Sequence, residues 1–110
     1  MMNNRVFLLT YNDAAGPREE IRDLIDSLDF VTNWITWSQN AFFLVAAAEI
    51  TARKISDALG QLRSRDGARF FVSHVDDDSD GWLPRVIWNF LKEPKAIWEE
   101  QEPGKSTAGS

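Results

Sequence analysis

Residues 5–12, RVFLLTYN, form a nearly unbroken apolar run between Asn3-Asn4 and the Asn12-Asp13 pair. A short run rich in Val, Phe and Leu, without a polar face, predicts a strand buried on both sides of a sheet. Val6, Leu8 and Thr10 point one way, and Phe7, Leu9 and Tyr11 the other. The segment NDAAGP then supplies turn chemistry, and Pro17 opens a helix predicted to reach about Leu28. Glu19 and Glu20 sit in its first turn, where the helix dipole favours acid, and Ile21, Leu24, Ile25 and Leu28 form its apolar stripe. Residues 30–37, FVTNWITW, are β-branched and aromatic and alternate loosely, as an edge strand does. In that alternation Val31, Asn33, Ile35 and Trp37 share one face. Ser38-Gln39-Asn40 is short enough for a hairpin into residues 41–48, AFFLVAAA, a second central strand. Thr51 caps a second helix with Ile55, Leu59 and Leu62 as its stripe. That helix is predicted to end near Arg65, with Gly60 inside it giving close packing on the sheet. Asp66-Gly67 makes the turn into a fourth strand over residues 68–75, ARFFVSHV.

Strand, helix, strand, strand, helix, strand is the split βαβ order of an α+β, ferredoxin-like βαββαβ sandwich. Its usual strand order puts the first and third strands in the centre, and these are the two most apolar strands here. Both helices then cover one sheet face. The other face also carries apolar residues and needs a cover of its own. The Trp-rich extension supplies one: Pro84 starts and Pro94 ends a helix in WLPRVIWNFLKEPKAIW, with Trp82, Ile87, Phe90 and Leu91 as its inner face and Val86 and Trp88 widening the apolar arc. A second copy of the chain supplies another, so a homodimer is expected. The organisation is thus a ferredoxin-like domain over residues 1–80, a helical extension over 81–102 that packs on the sheet or a partner, and a Gly/Ser/Lys-rich tail over 103–110 expected to be disordered.

Composition narrows the function classes. The chain has 110 residues, enough for one domain with its own core. Absence of cysteine removes disulfides, thiolate metal sites and a cysteine nucleophile, and fits a cytoplasmic protein. The opening MMNNRVFLLTYND lacks the pattern of a secretion signal, and no apolar run approaches a membrane span. The net charge of −5 argues against indiscriminate nucleic-acid binding, although a local basic patch remains compatible with it.

The chemistry-bearing candidates are few. Asn12 and Asp13 follow the first strand, where they either terminate it as a turn or hold Mg²⁺ or Mn²⁺, Asp13 then being the catalytic residue. Arg63, Arg65 and Arg69 are a candidate phosphate or nucleic-acid patch, or simply a solvated helix end. Asp76 to Gly81 opens like a calcium loop, D-x-D-x-D-G, but its ninth position is Pro84 and its twelfth Ile87, so the coordinating glutamate is missing. His74, the single histidine, has no orienting partner in the sequence and reads as a packed or edge residue. Trp34 and Trp37 offer stacking surfaces without basic framing, which favours packing or an interface. Trp82, Trp88, Phe90 and Trp98 are the expected interface residues of the extension.

The layout resembles the small ferredoxin-like proteins of the CRISPR-adaptation type, with their SinR-like and VapD-like relatives. The likeness spans residues 5–76 and rests on Leu9-Thr10-Tyr11-Asn12-Asp13 ending the first strand, on AAAEITARKISDAL, and on RFFVSHV. It implies a dimer that is either a divalent-metal-dependent phosphodiesterase, a nuclease, or a nucleic-acid-associated adaptor, with an extra C-terminal segment crossing to the partner. That family places Asp directly after the Tyr. Here Asn12 holds the position, and an amide coordinates Mg²⁺ more weakly than a carboxylate, so the implied nuclease is a degenerate one. The alternative class is a non-enzymatic protein-interaction module that docks through the Trp-rich segment.

Overall fold

A computed structural model describes residues 4–96. Among these residues the fold is α+β, with a four-stranded antiparallel sheet and three α-helices. Strands β1 (Arg5–Tyr11), β2 (Val31–Ser38), β3 (Ala41–Ala46) and β4 (Phe70–Val75) lie in the order β2-β3-β1-β4. The two unbroken apolar runs are therefore the two central strands. Leu9 is flanked by Phe42 on one side and Val72 on the other.

Helices α1 (Arg18–Asp26) and α2 (Ala52–Ala58) cover one face. Phe7, Leu9, Phe42 and Leu44 from the sheet pack there with Ile21, Ile25 and Ile55, all buried. Pro17 is the N-cap of α1, so the proline stands one residue ahead of the helix it sets up. The Thr51 hydroxyl accepts the Lys54 amide at 3.1 Å, the cap its side chain predicts. The second helix is shorter than its stripe predicts. α2 ends at Ala58 and Gly60–Ser64 continues as a 3₁₀ turn, which keeps Leu59 and Leu62 buried. No atom lies within 4 Å of where a Gly60 side chain would start, so Gly60 marks the change of helix type and serves no close approach to the sheet.

Helix α3 (Arg85–Lys92) covers part of the opposite face, where Ile87 packs against Val6 and Phe43, with Ile35, Val75, Leu83, Phe90 and Leu91 at the margin. Trp82, expected on the inner face, is fully exposed instead, because it precedes the helix and the chain enters through Leu83. Strand β2 departs from simple alternation as well. Val31 pairs with Ala46 and Asn33 with Val45, so Thr32 is the extra residue of a bulge. The bulge turns Val31 to the α1/α2 face, while Asn33 and Ile35 face α3. Asn33 Nδ2 donates to the Lys95 carbonyl at 3.0 Å, and Asn4 Nδ2 to that of Pro94 at 3.0 Å, which ties the segment after α3 across the sheet.

Candidate functional site

The end of β1 is built from side chains that hold loops together. Asn12 lies in extended backbone after Tyr11. Its Nδ2 donates to the Gly67 carbonyl at 2.9 Å, and its Oδ1 accepts the Arg69 amide at 2.9 Å. The Asn12 amide donates to the Arg69 carbonyl at 3.1 Å. Both ends of the carboxamide thus fasten the β1 end to the turn before β4. Asp13 opens a short 3₁₀ turn and is exposed. Its Oδ1 accepts Asn40 Nδ2 at 3.0 Å, and the same amide donates to the Tyr11 carbonyl at 2.9 Å. Asp13, Arg18, Glu19, Gln39 and Asn40 line a shallow cleft of about 410 Å³.

Tyr11 is buried, and its hydroxyl donates to the Gln39 carbonyl at 3.0 Å. Burial pushes its pKa above the ordinary value; Arg18 opposes the shift, and Glu19 and Asp13 add to it. A group whose pKa is raised by folding stabilises the fold while it stays protonated. The contribution is full below about pH 10 and is lost as pH rises through the elevated folded value. We expect wild-type stability to fall more steeply above that point than that of Tyr11→Phe, in urea unfolding at stepped alkaline pH. Tyr11 is the single tyrosine, so phenolate absorption reports its titration directly. Parallel pH curves would remove Tyr11 as the cause.

The three arginines diverge. Arg65 crosses the β1–α1 loop, with Nη1 donating to the Ala15 carbonyl and lying 3.0 Å from Glu20 Oε1. Gly16, at φ +136°, leaves that passage open; a β-carbon there would collide with the guanidinium. Arg63 donates to Ser56 Oγ at 3.2 Å and lies over the Phe70 ring at 5.8 Å. Arg69 is exposed and donates to the Ala68 carbonyl at 2.8 Å. The fold therefore brings Asn12, Asp13 and Arg69 to one end of the sheet and commits Arg65 to structure, with Arg63 on the α2 side.

At the end of β1 one exposed carboxylate and one carboxamide stand where a divalent ion was expected. Among the described residues no group of three His, Asp or Glu side chains is placed to hold a metal. Asn12 spends its oxygen on a backbone amide, which leaves Asp13 as the one nearby carboxylate from the predicted pair. In the acidic connector, Asp76 Oδ1 accepts the Asp78 amide at 2.9 Å and Asp80 Oδ1 the Gly81 amide at 2.8 Å. Ile87, at the glutamate position of a calcium loop, is buried in the core.

The aromatic residues divide. Trp34 donates to Asp26 Oδ1 at 2.7 Å and packs edge-on to Phe42, so it is a packing residue. Trp37 stacks on Phe43 with 4.5 Å between centroids and remains partly exposed. His74 is exposed and tilts against Phe7. Trp88 is half-buried and lines a cleft of about 680 Å³ with Arg5, His74, Asp77 and Lys92. Phe90 is half-buried against the sheet. Trp98, and with it the expected tail over 103–110, lies outside the described residues.

Sequence reasoning missed Phe71, which is 62% exposed on the face that α3 shares. Its signal was the parity of β4: Phe70 and Val72 pack with the α1/α2 core, so Phe71 must face the other way. It also missed Asn40, read only as part of a hairpin break. No helix among the described residues is long and apolar enough to cross a membrane. Comparison with family models, with curated proteins and with solved structures finds no match.

Proposed function

We propose that the chain is a ferredoxin-like module that works as a dimeric adaptor, binding partners rather than turning over a substrate. The strand order β2-β3-β1-β4 with antiparallel neighbours supports the fold reading, since the split βαβ arrangement places the first and third strands centrally. One observation carries the functional reading. α3 lies toward the β2 side of one sheet face, and on that face Phe71 of β4 is exposed and Trp37 of β2 partly so, with Val86 61% exposed on the helix itself. Large apolar side chains left exposed on one face are a recognised mark of an interaction surface. The polar residues at the end of β1 point the same way, being spent on internal hydrogen bonds.

A nucleic-acid-associated adaptor is the second reading, favoured by the exposed Arg69 beside Asn12. A metal-dependent nuclease with Asn12 and Asp13 as ligands is the enzymatic form of that reading. Labelled single- and double-stranded DNA and RNA, incubated at low salt with Mg²⁺ or Mn²⁺, separate the three. The adaptor reading expects no metal-dependent cleavage, in wild type or in Asp13→Ala. Cleavage that disappears in Asp13→Ala would overturn it and establish a phosphodiesterase. Binding without cleavage, lost in Arg69→Ala, would make nucleic acid the partner.

A further inference from the structure

Among the described residues strand β4 is an edge of the sheet, with its outer side unpaired. Edge strands in stable folds are covered, broken or charged to prevent pairing. β4 has none of these devices within Phe70–Val75, whose sequence is FFVSHV. Its charges lie beyond its two ends and have opposite sign. Arg69 precedes it, and Asp76, Asp77, Asp78 and Asp80 follow it, all exposed. Among the described residues neither Arg69 nor any of these four aspartates is in an ion pair.

An antiparallel partner reverses the order of residues, so a strand that is basic at one end and acidic at the other complements itself. We infer that two copies pair β4 to β4 about a two-fold axis at Ser73, joining their sheets into one of eight strands. The inference rests on the dimeric reading above. With Ser73 opposite itself, Phe71 lies opposite Val75 of the second copy, on the sheet face that α3 leaves partly open. Val72 lies opposite His74, on the face of α1 and α2. Arg69, just before the strand, comes to the end where Asp77 of the second copy stands in the bend that follows Val75, and the match occurs twice. Side chains directly opposite within the ladder approach to about 5 Å, close enough for the Phe71–Val75 and Val72–His74 contacts to form. Alternatives in which odd residues meet even ones set side chains of opposite sheet faces against each other. Moving the axis to Val72 keeps the faces but sets Arg69 against Val75. The charges therefore favour Ser73 over Val72.

The test is sedimentation equilibrium of the full chain, with circular dichroism as a control on folding, at low and high salt. Wild type is expected to be a dimer that weakens with salt. Arg69→Asp is expected to raise the dimer dissociation constant about tenfold, since it replaces two attractions by two repulsions. Arg69→Asp combined with Asp77→Arg is expected to restore wild-type association, because the swapped charges still complement each other. Phe71→Lys is expected to weaken the dimer without unfolding the chain, its parent side chain being exposed. A dimer indifferent to Arg69→Asp and to Phe71→Lys would overturn β4 pairing and leave the dimeric reading standing. A double variant no tighter than Arg69→Asp alone would overturn the Ser73 register. A monomeric wild type at all concentrations would overturn the dimeric reading and this inference together.

Discussion

Ile87→Ala is expected to destabilise the fold by about 2–5 kcal/mol, the range for truncating a fully buried aliphatic side chain. Ile87 is 2% exposed and is the residue of α3 most deeply set between Val6 and Phe43. Its neighbour Val86 is 61% exposed on the same helix. Val86→Ala is therefore expected to change stability by no more than about 0.5 kcal/mol. Urea unfolding of the pair reads the difference, and the contrast is the informative quantity because both residues are β-branched and one helical step apart. Total stability of a domain this size is about 5–15 kcal/mol, so Ile87→Ala removes a large share of it. Equal effects at the two positions would mean that α3 does not rest on the sheet by this face.

The central strands were legible because burial on both sides leaves no room for a polar face. Both Arg5–Tyr11 and Ala41–Ala46 follow from apolar runs alone, and their central position follows from the same property. Helix α1 was legible from Pro17, the early acids and the Ile21/Ile25 stripe. What escaped were features set by tertiary context. The bulge at Thr32 moves Val31 to the other face, and nothing in FVTNWITW announces an extra residue. Gly60 was read as a packing glycine inside a helix, whereas it begins the 3₁₀ turn that brings Leu62 into the core. Periodicity placed Trp82 on the inner face of α3, but the helix starts three residues later and periodicity holds only within it.

The site was legible in position and not in chemistry. Asn12, Asp13 and Arg69 were singled out, and the fold sets them at one end of the sheet. The bonds that decide their roles run to Gly67 and Asn40, which are 55 and 27 residues away in sequence. No local pattern encodes such partners. An asparagine at the end of a strand reads equally as a turn former, a metal ligand or a lost acid until the carbonyl facing its amide is known.

Asn12→Asp is the substitution that separates these meanings, and it is expected to cost about 1–2 kcal/mol without creating divalent-ion-dependent cleavage. The carboxamide gives a donor to the Gly67 carbonyl and an acceptor to the Arg69 amide. A carboxylate keeps the second bond and sets an acceptor against an acceptor in the first. The exposure of the residue lets water relieve part of that conflict, which holds the cost below the value for a buried loss. A protonated carboxyl can donate to Gly67 as the amide does, so folding favours the neutral acid. The variant's pKa is then raised on folding, and its deficit relative to wild type is expected to shrink as pH falls through that raised value and to be gone below about 4, the value of the unfolded carboxyl. Urea unfolding at neutral and acid pH measures this, and the labelled-substrate assay runs on the same preparations. Undiminished stability together with metal-dependent cleavage would show that the position is catalytic ground vacated by an acid. A lower midpoint without cleavage would show that Asn12 is held there by the loop it fastens.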